Sequence, residues 1–354
     1  MTELLPFLKT LISAPGLSGH EKPIRDIIET AWRPLTDEIH LSRLGSLHGL
    51  KRGAGADPRP SILLAAHMDA IGLMVTAQVG DFLRVTEIGG LDVRVLPGQR
   101  VIVHGRQDLP GLIVCPPARL LPEEAREGPV ALKYLLIDTG LSEKELHNLI
   151  RPGDLASFAQ EPLELREETL AGHSLDNRAS VAALTHCLQS LQGRAHAWDV
   201  WAVATVQEEV TLGGARTSAF DLHPQLAVAV DVTWGRGPGT PDYKTFPLGK
   251  GPTLGWGPNI HPGFHKAFKQ VAEGLEIPHA VEVMPRHSGT DAFSLQVAAE
   301  GIASMVVSIP LRYMHTPVEV VALKDISRTG QLLAEFIAGL QPGFMDTLTL
   351  EEKT

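Results

Sequence analysis

Cysteine is almost missing from this chain: Cys115 and Cys187 are the only two in 354 residues. They lie far apart and form no CxxC pair, so neither a disulfide framework nor a thiolate metal site is supported, and a reducing cytoplasm is the expected location. No positively charged leader precedes a long apolar stretch, and no run reaches the roughly 18 apolar residues of a membrane span. A soluble protein with no membrane partner is expected. An excess of positive charge is lacking too. The net charge is −10, with both signs mixed along the chain, which argues against nucleic acid as a partner. No GxSxG elbow occurs and neither cysteine has a plausible partner beside it, which speaks against a serine or cysteine nucleophile. GRGPG at 235–239 lacks the spacing and the following helix of a dinucleotide fingerprint and reads as a loop, so no nucleotide cofactor is expected.

Apolar residues, by contrast, supply 44% of the chain, enough at this length for two domains or for one large domain carrying an insertion. TELLPFLKTLI and the stretch after APGLSGHEKP place apolar residues at helical spacing and predict two amphipathic helices. Ile62 to Ala66 form a short apolar run typical of a strand covered on both faces. From residue 72 to 167 the texture becomes β-rich, with DFLRVTEIGG, QRVIVHG and GLIVCPP punctuated by Gly and Pro. That stretch is expected to be an inserted, β-barrel-like domain. Helices and buried strands then return. A helix follows LAGHSLDNRAS, WDVWAVATVQEEV, QLAVAVDVT and IASMVVSIP read as strands, and ALKDISRTGQLLAEFIAGL reads as a closing helix. The expected fold is α/β, a mixed, largely parallel sheet sandwiched by helices, with residues 1–71 and 168–341 as the catalytic unit. Residues 342–354 read as a frayed tail.

Polar residues that end buried strands of an open α/β sheet share one crevice. Here such ends carry His67 and Asp69, Glu208 and Glu209, and Asp231. Asp176 enters at a loop–helix junction and His315 after the fourth strand. Burying these carboxylates together is costly without a cation, and a set of His, Asp and Glu suits zinc, cobalt or manganese. Five ligands exceed the three of a usual catalytic zinc. One bridging carboxylate would give each of two ions three protein ligands and leave a sixth group free as a base. Strand-end carboxylates also serve as helix caps and ion-pair partners, and adjacent Glu208 and Glu209 could be a solvated pair. In a regular strand they would face opposite ways, so sharing a site requires the chain to turn there.

AAHMDAIG (65–72), LDNRAS (175–180), QEEVTLGGA (207–215), VDVT (230–233), SGTDA (288–292) and IPLRYMHTPVE (309–319) occur in the order seen in the tetrahedral (TET) aminopeptidases. The chain resembles that family, co-catalytic metallopeptidases sometimes described as endoglucanase-like or glutamyl aminopeptidases, across nearly its whole length. The resemblance implies that His67 and Asp231 bind one metal, Glu209 and His315 the other, and Asp176 bridges them. Glu208 would be the general base, acting on a water activated by the metals, and Asp69 a carboxylate that holds the second nitrogen of His67. Peptides with a free N-terminus would be the substrates. Dimers assembling into a dodecamer through the inserted domain would be the quaternary form. The chain departs from the family pattern at Ala70, His173, Ser174, Thr211 and Gly213, none of them an expected ligand. The rival readings are a related two-metal carboxypeptidase or amino-acid deacylase, and a non-catalytic scaffold of the same fold. Among the fifteen histidines, His173 and His287 lie in motifs bordering the crevice, whereas His20, His48, His104, His147, His186 and His196 read as surface or packed residues.

Overall fold

The computed structural model describes residues 3–348. Helices α1 (Leu4–Ser13) and α2 (Lys22–Trp32) bury Leu8, Leu11 and Ile12, and Ile24, Ile28 and Trp32, the stripe their spacing predicts. Strands β1 (Glu38–Leu41) and β2 (Leu47–Lys51) pair antiparallel at one edge of a large sheet. Next, β3 (Ser61–His67) runs through its centre, with Ile62 to Ala66 buried on both faces.

Only four residues separate His67 from the next strand, the first of a closed six-stranded antiparallel barrel. Its strands are β4 (Gly72–Val79), β5 (Phe82–Ile88), β6 (Arg100–His104), β7 (Asp108–Val114), β8 (Leu136–Asp138) and β9 (Leu155–Phe158), with helix α3 (Glu143–Leu149) before the last. Alternate residues such as Leu73 and Val75, Leu83 and Val85, and Val101 and Val103 fill its interior, and β9 closes the ring by pairing with both β4 and β6. Closure leaves no open sheet edge in this small unit.

The chain then rejoins the large sheet through β10 (Leu163–Leu165) and β11 (Thr169–Gly172), so the β-rich stretch 72–167 also contains one strand that lies outside the barrel. Helix α4 (Leu175–Ser190) crosses the sheet, although Asp176 at its start is extended, with ψ 105°. After it come β12 (Asp199–Thr205), the single turn α5 (Glu208–Thr211), α6 (Gly213–Leu222) and β13 (Leu226–Trp234). The remainder is β14 (Thr253–Trp256), α7 (Pro262–Gly274), β15 (Ala280–Val283), α8 (Asp291–Gln296), β16 (Ala303–Arg312), β17 (Glu319–Ala322) and α9 (Leu323–Gly339).

The sheet has eleven strands. Its main path is β1-β2-β12-β3-β13-β16-β17-β11-β10, and β14 and β15 branch from β16. Pairing is parallel across β12, β3, β13 and β16 and between β14 and β15, while the flanks are antiparallel. The sheet is therefore mixed with a parallel centre. After Pro342 the chain does not fray at once: Phe344–Thr347 forms a 3-10 turn, and the Phe344 ring packs edge-on to Phe336. Residues 349–354 of the expected tail lie outside the described residues.

Candidate metal centre

The parallel centre of the sheet aligns the ends of its strands. Thr205 of β12 lies opposite His67 of β3, and Ala229 of β13 opposite Ala65, so Asp231 stands level with His67. Beyond Thr205 the strand stops because Gln207 takes a left-handed conformation (φ 57°), and Glu208 and Glu209 open a helical turn instead of continuing the pleat. This is the bend that lets neighbouring carboxylates share one site. Gly214 makes it sterically feasible, since a Cβ there would come within 2.3 Å of the Val206 carbonyl oxygen.

His67, Asp176, Glu208, Glu209, Asp231 and His315 all meet in one crevice. Asp176 stands in the middle, with Oδ1 3.1 Å from His67 Nε2 and Oδ2 3.6 Å from His315 Nε2. His67 Nε2 is also 3.8 Å from Asp231 Oδ1 and 3.8 Å from Glu208 Oε2, and His315 Nε2 is 3.7 Å from Glu209 Oε2. Two groups of ligand atoms, His67 with Glu208 and Asp231, and His67 with Asp176 and Glu209, lie within 4.8 Å of one another.

The donor set fits a cation on physical grounds. Asp176 Oδ1 is buried without a well-aligned hydrogen bond although an imidazole nitrogen is 3.1 Å away, which leaves its lone pairs available to a cation. Burial, and then the neighbouring carboxylates, push Glu208, Glu209 and Asp231 well above the usual carboxylate range, despite the opposing influence of His67. His67 itself is raised. Its burial favours the neutral ring, but Glu208, Asp176, Asp69 and Asp231 together outweigh that. Such a concentration of buried negative charge is what a divalent ion relieves.

Asp69 is at the site, near the His67 nitrogen it was expected to hold, and makes further contacts as well. Its Oδ1 is 3.6 Å from His67 Nδ1, while its backbone carbonyl is nearer, at 3.2 Å. Its carboxylate also accepts the Ser18 hydroxyl at 2.6 Å and the backbone N–H groups of Glu208 (3.0 Å) and Glu209 (3.3 Å). Asp69 therefore anchors the turn that carries both glutamates. Glu21 helps, accepting the N–H of Gln207 at 3.2 Å.

Glu319, the last residue of the IPLRYMHTPVE motif, has a place that sequence reading left unassigned. Fully buried, it accepts the Asp176 N–H on Oε2 and the His315 N–H on Oε1, both at 3.1 Å, and so ties the central carboxylate to the distal imidazole. Beneath the site, buried Arg178 donates to the carbonyls of Leu11 and Ala14, and burial pushes its guanidinium down to about 10. Asn177 donates to the Val230 carbonyl beside Asp231.

His173 and His287 make their contacts outside the cluster, whereas the buried charge of Asp291 acts on Glu208 and Asp231. His173 bonds Ser174 and is driven down to about 3 by burial, and the His287 ring packs against Phe293. Thr290 caps α8, and Asp291 accepts the Thr205 hydroxyl at 2.6 Å.

A mixed α/β sheet with carboxylates and imidazoles gathered at its strand ends defines a metallohydrolase-type architecture. The M42 glutamyl aminopeptidase family matches residues 45–332, and the chain belongs to that family of metal-dependent aminopeptidases. It is 34% identical over 341 residues to a lysyl aminopeptidase of Pyrococcus furiosus, covering 95% of this chain and 97% of that one. Among solved structures it is similar to a TET aminopeptidase from a marine sediment archaeon of the Thaumarchaeota (29% identity, 98% and 99% coverage, TM-score 0.92). It is similar also to the TET1 peptidase of Pyrococcus horikoshii, described as assembling into a tetrahedron or a large octahedral shell (29% identity, 96% and 100% coverage, TM-score 0.83). No helix among the described residues is long and apolar enough to cross a membrane.

Proposed function

We propose that this protein is a two-metal aminopeptidase that removes N-terminal residues from peptides. The observation that carries the reading is Asp176, whose two oxygens each face a different histidine, the geometry a bridging carboxylate needs. His67 and Asp231 would complete one ligand set, and Glu209 and His315 the other. Zinc or cobalt suits these donors best, with manganese possible on the same chemistry. The ions, when bound, would supply activation of the attacking water and stabilisation of the charge that develops on the peptide carbonyl oxygen.

The chain's own residues do the rest. Glu208 would take the proton from the attacking water and deliver it to the leaving amine. Asp69 fixes the backbone of Glu208 and so its reach. The free amino group of the substrate would bind among the carboxylates, which accounts for restriction to chain ends. The barrel would build contacts between copies in dimers and a dodecamer, consistent with the assembly described for the Pyrococcus horikoshii relative. Residues 72–167 would thus act as an oligomerisation unit and the flanking segments as the catalytic one. The two cysteines, unpaired with each other, are compatible with work in the cytoplasm.

Release of a chromophore from amino-acid anilides, abolished by chelator, restored by zinc or cobalt and absent with N-blocked substrates, is the expected behaviour. Cleavage of N-blocked substrates alone would instead favour a carboxypeptidase or deacylase. Turnover that persists in excess chelator would sink the metal mechanism.

A further inference from the structure

A cleft of about 680 Å³ opens beside the ligand cluster. Its walls come from Val95 in the loop after β5, from Trp234 and Pro238 at and beyond the end of β13, and from Tyr313, Met314 and Val318 around His315. Met314 and Thr316, the chain neighbours of His315, both line it, and Trp234 follows Asp231 on the same strand. The N–H of Asp92, another lining residue, donates to the His315 carbonyl at 3.4 Å. Three further clefts contain neither a residue of the cluster nor an immediate chain neighbour of one.

The chemistry of the walls is one-sided. Trp234, Tyr313 and Val318 are large apolar side chains left 54%, 48% and 44% exposed on one concave surface, and grouped exposure of this kind marks a binding site. The guanidinium groups at the rim already face carboxylates, whereas the one lysine there touches only a ring. Arg94 grips Asp92 with Nε 2.8 Å and 3.0 Å from its two oxygens, Arg236 pairs with Asp242 at 3.2 Å, and the Lys244 ammonium sits 5.6 Å from the Tyr243 ring. An entering lysyl side chain would find no unpaired carboxylate, and an entering glutamyl side chain would meet only the solvent-exposed ammonium of Lys244, a screened partner worth little.

We infer that this cleft receives the side chain of the substrate's first residue and selects a large uncharged one, of the leucyl, methionyl or phenylalanyl kind. The inference rests on the aminopeptidase reading above. Each methylene buried against these walls adds transition-state binding that an alanyl substrate lacks, whereas a charged side chain leaves its hydration without replacement.

The test is a panel of leucyl, methionyl, phenylalanyl, alanyl, glutamyl and lysyl anilides on the metal-loaded, full-length protein. The three large apolar substrates are expected to exceed the alanyl one in kcat/KM by about tenfold or more, and the charged ones by at least as much. A glutamyl or lysyl optimum, or equal turnover of leucyl and alanyl substrates, overturns the inference and leaves the aminopeptidase reading standing. No turnover of any of the six by protein shown to hold metal overturns both. Trp234→Ala, at a half-exposed position the fold tolerates, is expected to lower the leucyl-to-alanyl ratio about fivefold or more, because apolar wall area is removed. An unchanged ratio contradicts the assignment whatever happens to the absolute rates.

Discussion

Glu208→Gln keeps shape and hydrogen-bonding length while removing the ability to accept a proton, so it separates base from ligand. Its expected effect is a fall in kcat of roughly 10²- to 10⁴-fold with metal content unchanged, read by steady-state kinetics beside elemental analysis. Loss of bound metal in this variant would move Glu208 into the ligand set, where its 3.8 Å approach to His67 also places it. Glu319→Gln makes a different point. A carboxamide offers one acceptor where the carboxylate offers two, so one of the buried N–H groups of Asp176 and His315 loses its partner. Metal affinity is expected to fall about 10- to 100-fold, measured by competition with a chromophoric chelator. Wild-type affinity would reduce Glu319 to a packing role. The cluster itself was legible in the sequence because each member ends an apolar run or lies in a motif of known order. The supports were not: Ser18 donates to the distant Asp69 carboxylate, Glu21 and Glu319 accept from distant backbone N–H groups, and nothing in their local pattern encodes a partner far along the chain.

Among the elements, β12, β3, β13 and β16 were readable as strands because a parallel centre covered on both faces favours near-continuous apolar runs rich in Val, Ile, Leu and Ala. The flanking strands were harder to read: β10, whose three residues are all exposed, carries no burial signal, and only its pairing with β11 puts it in the large sheet. The 3-10 turn at Phe344–Thr347 was missed for the opposite reason, since a single ring packed on Phe336 holds a segment that looks like loop. One pH prediction belongs at this scale. His48 on β2 is buried against Ser218 of α6, at 2.8 Å, and burial pushes its imidazole down to about 4. Below the ordinary value of about 6.5 the unfolded chain takes up a proton that the folded chain refuses. Its stabilising effect is thus complete above about pH 6.5 and is lost as pH falls toward 4, by up to about 1.4 kcal/mol per unit. Denaturant midpoints should decline across that window. His48→Asn should flatten the decline, and an identical slope in the variant would assign the acid sensitivity elsewhere.

For the whole molecule, metal and stability are linked, because the crowded carboxylates repel one another and a bound ion stabilises only the folded form. Removing metal with chelator is expected to lower the thermal midpoint, and zinc or cobalt to restore it. No shift in either direction would mean that the cluster holds no ion in solution. Light scattering of the metal-loaded protein should report a multiple of 12 or more of the 38.2 kDa chain, and a stable monomer would contradict the proposed assembly. Asp69 and Glu21, finally, have a bearing on how such a molecule can be made. The hydrogen bond from Gln207 to Glu21 spans 186 positions, and Ser18 reaches the same turn through Asp69. A ribosome therefore delivers the cradle first and the turn that carries Glu208 and Glu209 long afterwards, with the whole barrel in between. Residues 45–332, the segment by which the family is matched, omit Ser18 and Glu21, so a gene fragment cut to that segment would encode the candidate ligands and Asp69 without the two residues that brace them from the N-terminal side. The stretch that identifies the family is shorter than the stretch whose hydrogen bonds seat Glu208 and Glu209.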